Sequence, residues 1–167
     1  MFSFPDGLGG LGGLGGLGEL GGRGELGGRP APACSRYAVA MMQDIEGEVV
    51  ALTRELLDAI TRGDWDAYAA LCDPELTAIE PEAPAQIVRG LAFHKFYFDL
   101  PRSQSPRQTT LCQPVAHVAG DMATVAYVRL VQKLEDGRPR TVSSAETRVW
   151  RRGPDGWRHV HFHRTPL

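Results

Sequence analysis

The chain has 167 residues and a formal charge of -2, from 18 Lys and Arg against 20 Asp and Glu. That balance argues against nucleic acid as the main partner, which would need a clear basic excess, and no run approaches the ~18 apolar residues of a membrane span, so no membrane partner is expected. Of the 20 glycines, 13 fall within the first 28 residues, which divides the chain into a Gly/Leu-rich leader, 1–36, expected to be disordered, and one globular domain, 37–167, with a small core that oligomerisation would supplement.

The leader repeats a Leu-Gly-Gly unit with Leu8, Leu11, Leu14, Leu17 and Leu20 three apart. Ordering so much glycine costs more backbone entropy than isolated leucines can offset. Gly7, Gly9 and Gly12 match a dinucleotide-binding fingerprint, but that motif needs a strand before it and a helix after it, and here it is one frame of a repeat. The opening MFSFPDGLGG has neither the basic nor the apolar part of a secretory signal. Cys34, Cys72 and Cys112 are odd in number and lack CxxC spacing. Free thiols in a reducing, cytoplasmic setting are therefore expected.

From Asp44 the pattern is helical: Ile45, Val49, Leu52, Leu56 and Ile60 make one apolar stripe. Gly63 is placed to end that helix, and Asp64 to cap a short second one, Trp65 to Cys72, closed by Pro74. Leu76 to Glu80 reads as a strand, Pro81 and Pro84 as the turn after it, and Ala85 to Phe98 as a third helix. A polar loop follows, Arg102 to Arg107. Thr109–Ala119, Met122–Glu135, Arg140–Arg152 and Trp157–Thr165 alternate as strands, separated by Gly120-Asp121, Asp136-Gly137 and Pro154-Asp155-Gly156. Helices followed by a four-strand meander predict an α+β fold, one curved antiparallel sheet with helices packed on one face.

Three stretches carry a family resemblance: LTAIEPEAPAQIVRGLAFHKFYFD, SSAETRVWRRGPDGW and HVHFHR. They resemble the association (hub) domain of Ca2+/calmodulin-dependent protein kinase type II, over roughly Glu46 to Thr165. The resemblance implies a cone of the nuclear transport factor 2 type, with a long N-terminal helix cradled by a strongly curved antiparallel sheet. It also implies a non-catalytic scaffold whose dimers build stacked rings, a homo-oligomer of dodecamer size or larger. Hubs of related kinases are candidate partners. No kinase motif is found anywhere in the 167 residues: no phosphate-binding loop in context, no VAIK-like strand, no HRD or DFG. Two departures from the family lie near the expected pocket mouth: a shorter Leu100–Gln108 loop without its usual Trp, and Val115 in place of a His.

Arg129, Arg148 and Arg164 stand on three different predicted strands and match three pocket arginines of the family. Alternation puts Arg148 on one face with Glu146 and Trp150, and Arg164 with Phe162 and Val160. Three guanidinium groups ~6 Å apart repel by about 3 kcal/mol per pair at an effective dielectric of 20. Such a cluster needs an anion. Either Glu146, or Glu80 and Glu82, neutralise it as a structural network, or it binds a small carboxylate with His94 alongside; the two readings are compatible.

His159, His161 and His163 occupy alternate positions and are expected to share one face. At about 7 Å spacing they fit structural or interface roles better than a metal site, so neither metal nor cofactor is expected. His117 stands alone. Tyr127, Trp65, Trp150 and Trp157 read as core and interface material. The competing class is a small isomerase, dehydratase or cyclase of the same cone fold, with His94 as the base candidate because guanidinium groups cannot serve as bases.

Overall fold

The computed structural model describes residues 33–102 and 105–167, with side chains from Met41 onward. Most of the expected leader therefore lies outside the described residues. The 30-residue helix α1, Ala33–Arg62, begins inside the stretch assigned to the leader and well before Asp44. The apolar stripe marks only the part of α1 that meets the core: Met41 and Met42 are exposed, whereas Val49, Leu56 and Ala59 are fully buried. The N-terminal part follows from good helix formers without a Gly or Pro before Gly47.

At the other end Gly63 takes a positive φ of 67°. The Asp64 N–H reaches back to the Ala59 carbonyl at 2.9 Å, closing the helix by the expected glycine cap. Asp64 then accepts from the Ala67 N–H at 3.0 Å and starts α2, Trp65–Leu71.

Strand β1, Cys72–Ile79, follows α2 directly, so it starts earlier than expected, and Pro74 lies within the strand instead of closing the helix. The third helix is also shorter than its pattern suggested. Ala85 and Gly90 have positive φ, 59° and 73°. Val88–Arg89 forms a two-residue strand β2 paired with β1. A helix cannot cross Gly90 in that conformation, and α3 spans only Ala92–Asp99.

The meander forms as its turn residues dictate: β3 Arg107–Ala119, β4 Met122–Glu135, β5 Arg138–Gly153 and β6 Gly156–Pro166. Asp136 and Gly137 both have positive φ, 52° and 74°, the conformation that a two-residue hairpin turn demands. The strands join in one six-stranded curved sheet, ordered β2-β1-β6-β5-β4-β3. One pairing departs from the antiparallel expectation: β1 runs parallel to β6. The direction of a strand whose partner lies some 85 positions away is absent from any local pattern.

One face of this sheet holds the core. Ala123, Val125 and Tyr127 of β4, Trp150 of β5 and Trp157 of β6 pack with α1 and Tyr68 of α2. Two tryptophans tie the sheet to α1 by polar bonds as well: Trp150 Nε1 donates to Thr53 Oγ1 and Trp157 Nε1 to Glu48 Oε2, both at 3.1 Å. A register shift between β5 and β6 leaves Val160 as an extra residue, with Trp150 opposite His159 and Val149 opposite His161. This bulge overturns the single-face arrangement of the histidines. His159 is fully buried on the core face. His161 and His163 point to the outer face, where His161 meets Thr77 across β1 at 2.8 Å.

Candidate functional site

Along the inner face the lining changes from apolar to charged. Beyond Val125 and Trp150 the same alternation delivers Tyr127 and Arg129 on β4 and Glu146 and Arg148 on β5, with Tyr127 directly opposite Glu146. The β6 bulge restores Phe162 and Arg164 to this face, opposite Arg148 and Glu146. Helix α3 and the end of α1 close over the group. The result is a cavity of about 200 Å³, walled by Arg129, Arg148 and Arg164, by His94, Glu80 and Glu82, and by the aromatic rings of Tyr68, Phe93, Tyr97, Phe98 and Phe162.

Arg148 is the innermost cation. Its Nε donates to the Tyr127 hydroxyl at 2.7 Å, its Nη2 faces Glu146 Oε2 at 3.4 Å, and its guanidinium lies 3.9 Å from the Phe162 ring centroid. Burial alone disfavours its charge, but Tyr127 and Glu146 outweigh that and push its pKa above the ordinary guanidinium value. Glu146 sits behind the cavity with no side-chain exposure (0%). It accepts from Tyr127 at 2.6 Å and Ser144 at 2.9 Å, and lies 3.7 Å from Arg129. Burial lowers the pKa of Arg129, against the pull of Glu146. Glu146 is thus a counter-ion in the supporting network.

His94 and Arg164 share the acids that follow β1. His94 Nε2 donates to Glu80 Oε1 at 2.8 Å; Arg164 Nη2 bonds Glu80 Oε2 at 3.2 Å and also pairs with Glu82. Burial would raise the Glu80 carboxyl, but His94 and then Arg164 prevail and hold it below the usual range. Two buried polar atoms in this wall, His94 Nδ1 and Arg129 Nε, have no hydrogen-bond partner among the described residues. Unpaired buried donors and acceptors are costly, so their place in a cavity wall marks positions that a polar ligand could satisfy.

The structure therefore brings Arg129, Arg148, Arg164 and His94 together, with Glu146 beneath them. The sequence reading missed the bridging part of Tyr127, taken there as core or interface material, and the aromatic wall from α3. His159 lies one layer deeper. Arg148 Nη1 faces its Nε2 at 3.3 Å, and Cys72 Sγ lies 3.7 Å from its Nδ1. Since a guanidinium can only donate, Nε2 is the acceptor and Nδ1 carries the proton. Burial and then Arg148 hold His159 well below its ordinary pKa, and burial pushes the Cys72 thiol up to about 11. Both are neutral packing groups. Among the described residues no cluster of three or more potential ligands could hold a metal, and Cys72 and Cys112 are free.

Comparison with known proteins covers most of the described chain. The family model of the calcium/calmodulin dependent protein kinase II association domain matches residues 45–167. The delta subunit of that kinase type from Oryctolagus cuniculus is 46% identical over 122 residues, 71% of this chain but 23% of the relative's length. The solved association domain of the C. elegans kinase is 40% identical with a TM-score of 0.71, covering 75% of this chain and 98% of that one. A nuclear transport factor 2-like superfamily protein from Salmonella enterica superposes with a TM-score of 0.62 at 25% identity, over 74% of this chain and 92% of its own, in keeping with the cone fold.

Proposed function

The chain belongs to the calcium/calmodulin dependent protein kinase II association domain family, and from that premise we propose that it is a non-catalytic scaffold whose copies assemble into rings of dimers. The observation that carries this is the outer face of the sheet. Its central positions are Thr124, Ala126, Val128 and Leu130 on β4, Ser143, Ala145, Thr147 and Val149 on β5, and His161, His163 and Thr165 on β6. None has a fixed charge, and Ala126, Ala145, His163 and Thr165 are exposed. A solvated antiparallel face normally alternates to charged or strongly polar residues. A field of small, aliphatic and imidazole side chains instead suits a second copy of the same sheet. A two-fold contact of this kind combined with a head-to-tail contact closes a ring. Placing a carboxylate in the field tests it: Ala145→Glu should reduce the mass of the assembly measured by light scattering, and an unchanged mass would reject this face as an interface.

The inner cavity is proposed as a site for a small carboxylate with an apolar body, held by Arg129, Arg148 and Arg164 with His94 beside them. The orphaned Arg129 Nε, a donor with no acceptor, and the aromatic walls support that chemistry. A melting-temperature rise with added organic acid is expected by mass action, and no shift at millimolar acid would remove the site. The His94–Glu80 pair favours a second reading, a general base in an enzyme of the same fold. Against it, Glu80 and Glu82 are engaged by Arg164, and the other polar groups of the wall are guanidinium groups, which cannot act as bases.

A further inference from the structure

We propose that Glu82 is a built-in competitor for the cavity: its carboxylate holds the anion position on Arg164, and an incoming carboxylate binds by displacing it. This rests on the reading of the cavity as a carboxylate site. The motive is charge balance. Arg129, Arg148 and Arg164 face Glu80, Glu82 and Glu146 through paired contacts, so the fixed charges of the cavity already cancel. A fourth carboxylate entering that set would be an unpaired buried anion unless one of the three leaves or a proton is taken up.

The three acids differ in how firmly they are held. Glu146 has no side-chain exposure (0%) and is bonded by Tyr127 and Ser144 as well as facing two arginines. Glu80 is 10% exposed and engages His94 and Arg164 at once. Glu82 is 38% exposed and, among the described residues, forms an ion pair with Arg164 alone. It stands in the exposed turn between β1 and β2, where the Ala83 N–H bonds back to Glu80 and the Gln86 N–H to Ala83. Swinging its carboxylate into water breaks one partly exposed ion pair, the weakest class of such contacts. Glu80 and Glu82 share Arg164 Nη2, so this frees one of its two N–H donors while Glu80 keeps the other.

Benzoate is a suitable probe, because the cavity combines guanidinium groups with aromatic walls; benzamide is its uncharged counterpart. Calorimetric titration of benzoate into the unaltered protein, Glu82→Gln and Glu82→Ala at pH 7.5 and 6.0 tests the proposal, with Glu75→Gln as a control for net charge. Glu75 is exposed and lies away from the cavity wall. Both Glu82 variants are expected to bind benzoate about five-fold more tightly, since the competitor's occupancy no longer lowers the competent fraction. Glu75→Gln should be unchanged, and benzamide should show no gain in any variant. Equal benzoate affinity in the unaltered protein and both Glu82 variants would overturn the competitor while leaving the carboxylate site standing. Affinity that rises on acidification, with no gain in the Glu82 variants, would assign the balancing charge to proton uptake instead and also overturn it. No binding by any form would reject the site and the competitor together.

Discussion

Replacing Arg148 with Leu removes the cation that donates to Tyr127 at 2.7 Å and faces Glu146 at 3.4 Å. Glu146 has no side-chain exposure (0%), so water does not take the vacated place. Deleting one partner of a buried pair costs on the order of 3–5 kcal/mol. Glu146 keeps Tyr127 at 2.6 Å, Ser144 at 2.9 Å and Arg129 at 3.7 Å, which places the expected loss at the lower end, about 3 kcal/mol. For a domain of this size that is a fall in melting temperature of roughly 10–15 °C. The double variant Arg148→Leu with Glu146→Leu removes both charges and should lose at least about 1 kcal/mol less than the two single losses added. The assay is urea denaturation at one fixed subunit concentration, because assembly itself adds stability by mass action. A single-variant loss below about 1 kcal/mol, or strict additivity in the cycle, would refute the buried network as the support of the cavity.

Thr53→Val should cost about 1–3 kcal/mol by denaturant titration, because the buried Trp150 Nε1 loses its acceptor at 3.1 Å while the shape is kept. The depressed pKa of His159 sets an acid limb: below about pH 6.5 the unfolded imidazole takes a proton that the folded one refuses. Stability should then fall by about 1.4 kcal/mol per pH unit on acidification, and His159→Gln should flatten that slope in denaturation series from pH 7.5 to 5.5. The lowered carboxyl of Glu80 adds a further loss only as pH drops below about 4.5, where the unfolded carboxylate protonates first.

Much of this was legible in the residues. The stripe from Ile45 to Ile60, the glycine cap at Gly63, the Asp64 cap and the three hairpin turns each have a local cause, and each appears where that cause puts it. Arg129, Arg148 and Arg164 stand out through their match to three pocket arginines of the family, and alternation adds only that Arg148 shares a face with Glu146. Counting outward from the two-residue Asp136–Gly137 turn would also have set Tyr127 opposite Glu146, so its bridging part was readable and was missed. Other features were not available locally. The β6 bulge at Val160 separates His159 from His161 and His163, and no sequence period announces an inserted residue. The parallel pairing of β1 with β6 and the short β2 depend on contacts between distant segments. The third helix was over-extended because the apolar spacing of Ile87 and Leu91 was weighed without the positive φ of Gly90, which stops the helix.

The scaffold reading rests on self-association, and native mass spectrometry of the whole chain at micromolar subunit concentration tests it most directly. The proposed rings of dimers predict closed assemblies larger than a tetramer, with even numbers of subunits. Several ring sizes are expected together, since a small change in the contact angle alters the number at closure. A spectrum holding only monomer and dimer would contradict the account.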